Sequence, residues 1–295
     1  MKALFIGNIT MDDLGTQYRV GGSGYYGGRA LAEYLGVEVY VATHVADDVR
    51  GLIRGVLDLY GIRVIELGVN GTPIFTISNG KAVGFRGLSP TIDIEAVRLY
   101  TRMHRFDAVY VTPIMKEILE HQIIQIREFN SKVTAIDIQG FVRECYDDSI
   151  RCLWKWNSEE ALLTVDIVHG NIREFCFTNE ETSIIKHIKD LSSAGGTSFL
   201  VSLDDRGLYL VHNNEALHIP SLSVKSVDDV GAGDILLAVT GYFRAMGMSM
   251  LESTTRGISA AALKTENAYR EWFNKELLEM YSRELLESIK SVDGV

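Results

Sequence analysis

The chain has 295 residues, 46% of them hydrophobic and 23% charged. That length allows one large domain or two modest ones, with a full core and no need of metal or disulfide staples. The proportions exclude wholesale disorder and fibrous classes. With 29 basic and 39 acidic residues the formal charge is −10, the wrong sign for gripping a nucleic acid by general electrostatics, although a local basic site for a small phosphate ligand stays open.

In chain order, short β-rich apolar runs alternate with longer helical patterns. Ala3–Ile6 reads as a first buried strand, too short for a signal-peptide core. Arg29–Leu35 continues a helix stopped by Gly36, and Val37–Val41 is a second strand. Asp48–Tyr60 has helical spacing and ends at Gly61. Strands are expected at 108–111, 133–136, 165–168 and 198–201, with a helix at 117–129 and a hairpin-like arm at 207–210. Helices follow at 235–245 and 254–268, and Lys275–Lys290 is a charged amphipathic helix with a solvated face. This alternation predicts an α/β fold with a mostly parallel central sheet covered on both faces.

Two segments break the rhythm. Residues 11–20 alternate in polarity, and 72–86 carry Asn79-Gly80, a strong two-residue hairpin signal. Both are expected to be strands of a small accessory sheet, a lid on a single domain spanning 1–295. No apolar run approaches the roughly 18 residues of a membrane span. Cys145, Cys152 and Cys176 form no CxxC pair and are expected to be reduced, small hydrophobes of a cytosolic protein. The seven histidines show no metal-ligand spacing.

Two glycine clusters can carry chemistry. Gly21-Gly22-Ser23-Gly24-Tyr25-Tyr26-Gly27-Gly28 contains a GxGxxG pattern at Gly22, Gly24 and Gly27, with Asp47 twenty residues on. In a dinucleotide-binding unit that pattern follows the first strand directly. Here about thirteen mostly polar residues intervene. An NAD(P)-dependent oxidoreductase therefore remains the lesser alternative. Close helix packing and a turn that lets a small polar ligand approach the backbone are the others.

The second cluster is Asp228-Asp229-Val230-Gly231-Ala232-Gly233-Asp234, followed by an apolar helix. A Gly-Ala-Gly turn at a helix start points backbone N–H groups at an anion, with the helix dipole behind them. A carboxylate beside such a site makes sense as acceptor of the proton from an alcohol attacking a phosphoryl group. Simple capping by Asp234 is the plainer reading, but it does not call for two glycines in the turn. A free carboxylate, with pKa near ~4, is a feeble base toward an alcohol in the ground state, but it can take the proton late, as the O–P bond forms and the alcohol becomes acidic.

DDVGAGD before an apolar helix resembles the C-terminal signature of the ribokinase-like (PfkB) carbohydrate kinases. GNITMDD, GGSGYYGG and Asn171-Ile172-Arg173-Glu174 resemble that family's earlier motifs, in the expected order. The resemblance implies a three-layer α/β/α sandwich with a small β lid. It implies transfer of the γ-phosphoryl of ATP to a hydroxyl of a sugar, sugar acid, polyol such as inositol, or nucleoside. Asp234 would be the base, and Gly231, Ala232 and Gly233 the anion hole. Asn8, Asp12, Gly21, Gly22, Tyr26 and Arg143 would meet the acceptor. Ser202, Asp204, Gly207, Gly231, Ala261 and Asn267 would line the nucleotide, and Asn171 and Glu174 would organise Mg²⁺. A homodimer through the lid is the expected assembly. A non-catalytic sugar- or nucleotide-binding module on the same fold is the remaining alternative.

The chain departs from the family at named positions. Asp229 stands where Thr is common, and Tyr25-Tyr26 where many sugar kinases carry Asn. Asp204 stands where Gly is usual, next to the nucleotide loop. Asp137-Ile138-Gln139-Gly140-Phe141-Val142-Arg143 resembles a segment of the sugar-acid and inositol kinase branches. Ribose is therefore not the expected acceptor.

Overall fold

A computed structural model describes residues 1–78, 81–146, 149–156 and 159–292. The strands in chain order are β1 (Lys2–Ile6), β2 (Thr10–Asp13), β3 (Tyr18–Gly21), β4 (Glu38–His44), β5 (Arg63–Gly68), β6 (Ile74–Ser78), β7 (Lys81–Arg86) and β8 (Ala108–Val111). They continue as β9 (Val133–Asp137), β10 (Arg143–Tyr146), β11 (Ser149–Cys152), β12 (Ile167–Asn171), β13 (Ser198–Ser202), β14 (Leu208–His212), β15 (Glu215–Ile219) and β16 (Lys290–Ser291). The α-helices are α1 (Ser23–Arg29), α2 (Arg50–Leu59), α3 (Ile94–Thr101), α4 (Gln139–Val142), α5 (Glu181–Gly195), α6 (Ala232–Ala245), α7 (Met250–Glu266) and α8 (Lys275–Glu287).

The large sheet runs β16-β15-β14-β13-β12-β9-β8-β1-β4-β5. Its members from β13 to β5 pair in parallel, and β14, β15 and β16 close one edge antiparallel. Side chains on a strand alternate between faces. Accordingly Ala3 and Phe5 join a core with Ile235 and Val239 of α6, while Leu4 and Ile6 join another with Val97 of α3 and Ile185 of α5. Two buried cores on one sheet make the α/β/α sandwich, as the residue pattern predicts.

The second sheet runs β10-β11-β7-β6-β2-β3. Residues 11–20 and 72–86 do meet: β2 pairs with β6 in parallel, with Asp12 opposite Phe75. The Asn79-Gly80 turn lies outside the described residues. β10 and β11 extend this sheet, beyond the two segments that the sequence pattern marks.

Other expectations shift. Residues 120–129 form a run of 3-10 turns rather than the expected α-helix, ended by Asn130 in a left-handed conformation (φ 49°). The helix that Arg29–Leu35 is expected to continue starts at Ser23 and passes into a π-turn at Ala30–Tyr34. The reduced state expected of the cysteines is corrected for two of them. Cys152, at the end of β11, is bonded to Cys176, with Cα atoms 6.4 Å apart. The second sheet folds back onto the segment after β12 and brings the pair within disulfide reach. Cys145 is free and exposed.

Candidate active site

Parallel strands that end at one edge of a sheet leave a crevice beyond their carboxyl ends. Asp137 ends β9, Asn171 ends β12 and Ser202 ends β13. The turn before α6 enters the same crevice.

Gly231 caps α6 with φ 83° and ψ 4°, a left-handed conformation costly for any residue with a Cβ. A Cβ there would also lie 2.2 Å from the ring of Tyr26, so the tyrosine lies flat on the turn. Among the anion-hole amides expected from the sequence, that of Ala232 already donates to the carbonyl of Asp229 at 3.2 Å. The amides of Gly233 and Asp234 fall in the first turn of α6, where no intrahelical acceptor exists.

Asp234 is mostly enclosed. Ser23 Oγ donates to its Oδ1, which ties α1 to the start of α6. Burial pushes its pKa up to about 7, and Asp137 adds to the rise. Ser23, His169 and Arg143 pull the other way. Burial thus holds the Asp234 carboxyl well above the free-carboxylate value.

Asp12, on β2, is 3% exposed. Its Oδ1 accepts from Thr10 Oγ1 at 3.1 Å and its Oδ2 from the Tyr26 hydroxyl at 3.0 Å. Arg19 Nη2 stands 3.6 Å from Oδ2. Burial raises the Asp12 pKa against the pull of Arg19. Gly21 pairs across from Thr10 on β3, and a Cβ on it would strike Asp12 Oδ1 at 2.5 Å. Gly22 turns the chain from β3 into α1 beside the Asn8 carbonyl. Tyr26 therefore spans the two halves of the site, with its ring on the Gly231 turn and its hydroxyl on Asp12.

Several expected site residues do other work. The Asn8 amide is committed to Ser89 Oγ (3.2 Å), the Pro90 carbonyl (3.0 Å) and the His44 N–H (3.3 Å). It holds loops together rather than offering itself to an acceptor. Gly24 faces Val41, and Gly27 packs on Ala238 of α6, so the GxGxxG pattern is a helix-packing surface. It follows a hairpin of the second sheet, not β1, and the dinucleotide reading is corrected on that ground.

Arg143 pairs with Glu174 at 3.0 Å. The Asn171-x-x-Glu174 motif closes on itself, for the Asn171 N–H donates to Glu174 Oε2 at 2.8 Å and the Glu174 N–H to the Asn171 carbonyl at 2.7 Å. Burial raises the Glu174 pKa, with Arg143 opposing. Asn171 Nδ2 donates to Asp204 Oδ1 at 2.8 Å, and Arg173 also reaches Asp204. Asp204 has φ 56°, which accounts for a position where glycine is more usual. Gly207, at φ 100°, shapes the turn into β14. Asn267 caps α7, its Nδ2 donating to the Leu263 carbonyl at 3.0 Å. Ala261 lies on α7 and is half-buried. Among the described residues no group of three or more His, Cys, Asp and Glu is arranged to hold a metal ion by itself.

Sequence reasoning misses a buried relay. His169 Nδ1 lies 2.7 Å from Asp137 Oδ2 and its Nε2 2.8 Å from Ser202 Oγ. His169 and Asp137 are register partners on β12 and β9. A Cβ on Gly233 would lie 2.9 Å from His169 Cε1, so the ring underlies the α6 turn. Burial lowers the His169 pKa, but Asp137 leads the charges that leave it raised on balance. The signal in the sequence is a lone histidine within an apolar strand, two residues before Asn171, which is too common a pattern to single out. Ser23, Arg19 and Lys264 also go unmarked.

A mostly parallel α/β sheet whose strand ends face a glycine-rich helix start and a buried carboxylate, with a second buried carboxylate on the neighbouring sheet, fits a phosphotransferase with a hydroxyl acceptor. The comparisons agree. The pfkB family carbohydrate kinase profile matches residues 106–269, more than half of the chain, and the chain belongs to that family.

Comparison with curated protein sequences gives no significant match. Among solved structures, a ribokinase from Thermotoga maritima is 18% identical, with TM-score 0.72 over 96% of this chain and 99% of that one. A pyrophosphate-dependent kinase in the ribokinase family, complexed with a pyrophosphate analog and myo-inositol, is 20% identical, with TM-score 0.72 over 94% and 99%. Arabidopsis thaliana ribokinase, complexed with ribose and ATP, is 15% identical, with TM-score 0.70 over 96% and 98%. At these identities the likeness is one of fold.

Proposed function

We propose that the protein transfers the γ-phosphoryl group of ATP to a hydroxyl of a small polyhydroxylated acceptor: a sugar, sugar acid, polyol or nucleoside. The observation that carries this reading is the span of Tyr26. One phenol reaches from the Gly231 turn to Asp12, so the phosphoryl site and the acceptor carboxylate lie one side chain apart. Asp234 stands at that turn with a pKa of about 7. An acceptor held by Asp12 after Tyr26 moves aside would place a hydroxyl between Asp234 and the phosphoryl group. Asp234 then takes the proton as the acceptor's O–P bond forms and the bond from the γ-phosphorus to the bridging oxygen breaks, releasing ADP, while the amides at the start of α6 carry the charge on the phosphoryl oxygens.

Mg²⁺ supplies charge neutralisation on the donor phosphates. The donor set fits an ion that keeps most of its waters and arrives with the phosphates. Glu174, whose oxygens are already engaged by Arg143 and the Asn171 N–H, would reach it through water. Ser202, Asp204 and Gly207 would face the donor, with Ala261 and Asn267 at its base. The second sheet would serve as a lid that keeps water from competing as acceptor. Its exposed Tyr18, Val83 and Tyr146 would meet a second subunit.

Three of the similar structures are described as pyrophosphate-dependent kinases or derived from one, so the test offers both donors. Pentoses, hexoses, inositols, sugar acids and nucleosides are incubated with ATP or pyrophosphate and Mg²⁺, and phosphomonoester is followed by phosphorus NMR. One acceptor class phosphorylated from ATP supports the reading. Phosphorylation from pyrophosphate alone replaces the donor, and product with no acceptor refutes it.

A further inference from the structure

Behind the Gly231 turn lies a buried cation that the transfer scheme does not use. Lys264, on α7, is 1% exposed. Its Nζ donates to the carbonyl of Asp228 at 2.9 Å and to that of Val230, and lies 3.7 Å from Asp228 Oδ2. The ring of Tyr26 covers its other side, 5.2 Å to the centroid. Burying an ammonium costs several kcal/mol unless oxygens replace its water. Here two carbonyls and a carboxylate do so, all from the segment that leads into the turn. The cost of burial still pulls the Lys264 pKa down to about 8, although Asp228 resists.

The peptide plane gives this contact a consequence. In a trans peptide the C=O of one residue and the N–H of the next point opposite ways, and the described chain has no cis peptide. A Val230 carbonyl drawn toward Lys264 therefore turns the Gly231 N–H away from Lys264. An Asp228 carbonyl drawn the same way turns the Asp229 N–H likewise.

We propose that Lys264 is a positioning residue for phosphoryl transfer, an internal monovalent cation that fixes the Gly231 turn so that its amides face the phosphoryl group. Arg19 shares the same Asp228 carboxylate and stands beside Asp12, so one ion network links the turn to the acceptor carboxylate. The inference rests on the proposed transfer reaction, and its test separates the two.

Lys264→Met keeps the length and apolar stem of the side chain and removes the charge. Its kcat should fall about 30-fold, while the acceptor KM stays within about threefold. Small cations should refill a pocket lined by three oxygens: ammonium or potassium chloride should recover about tenfold of the loss, and choline chloride none. Wild-type kcat should be the same in choline and in potassium buffers, a measurement that needs no variant to fold. A variant with near-normal kcat, a loss that neither ammonium nor potassium touches, or a wild type that depends on added potassium each overturns the inference. If the wild type phosphorylates nothing, the proposed function fails instead. The inference is then read from the affinity for inorganic pyrophosphate with MgCl₂, which Lys264→Met should weaken and ammonium restore. Unchanged affinity overturns it.

Discussion

Replacing Asp234 by Asn separates its chemistry from its place in the fold. Asn keeps the size of the side chain and still accepts a hydrogen bond from Ser23, which now donates to Asp234 Oδ1. It cannot take a proton, so kcat should fall by roughly 10²–10⁴, the range for a positioned general base. Stability should move the other way. The pKa rise from 3.8 to about 7 means that the folded protein holds a carboxylate it would sooner protonate. At 1.36 kcal/mol per unit that is about 4 kcal/mol at most. With the folded value above the unfolded one, the favourable contribution of the protonated group is complete below pH 3.8. It is lost as the pH rises through about 7. Asn does not ionise and loses nothing. At pH 8 the variant should therefore melt several degrees above wild type, and the gap should close near pH 4. The assays are steady-state kinetics at pH 8 and thermal unfolding from pH 4 to pH 8. Near-normal kcat, or a variant that melts below wild type at pH 8, would refute the reasoning.

Three further outcomes follow from the same geometry. Asp12→Ala removes a buried carboxylate that would hold acceptor hydroxyls, so acceptor KM should rise by about 2–3 kcal/mol, or roughly 30- to 150-fold, with donor KM unchanged; steady-state kinetics against each substrate decide it. Gly231→Ala puts a methyl into a left-handed turn and 2.2 Å from the Tyr26 ring, which should cost roughly 2–4 kcal/mol in chemical denaturation and abolish most turnover. Cys152→Ser opens the bond to Cys176 across a separation of 24 residues. It should lower stability by about 3 kcal/mol under non-reducing conditions, and intact-mass spectrometry without reductant should show the wild type two hydrogens lighter than its fully reduced form.

How much of this was legible follows the range of the interactions. The parallel sheet was readable because buried strands such as Ala3–Ile6 and Ala108–Val111 are continuous apolar runs. β2, β3 and β6 were readable because residues 11–20 and 72–86 alternate. β10 and β11, with sequences RECY and SIRC, are short, polar and half-exposed. They take strand form only because β7 offers an edge to pair with. Residues 117–129 carry a helical apolar pattern, yet the buried Ile123 and Ile126 pack equally well on 3-10 turns.

The site divides in the same way. Asp234 and Asp12 sit in local motifs whose glycines and acids are contiguous. Ser23 meets Asp234 across 211 residues, Arg19 meets Asp228 across 209, and Lys264 meets its carbonyls only where α7 crosses the turn. Nothing local marks such residues. Asn8 is the converse case: it stands in a motif, but the loops it ties together hold its amide.

In the proposed reaction the enclosed carboxylate of Asp234 takes the acceptor's proton at neutral pH. The most direct measurement is kcat/KM of the wild type from pH 5 to pH 9, with the acceptor found in the screen. On the acid side kcat/KM should fall tenfold per unit of pH, with an apparent pKa near 7. A profile flat down to pH 5 would contradict it.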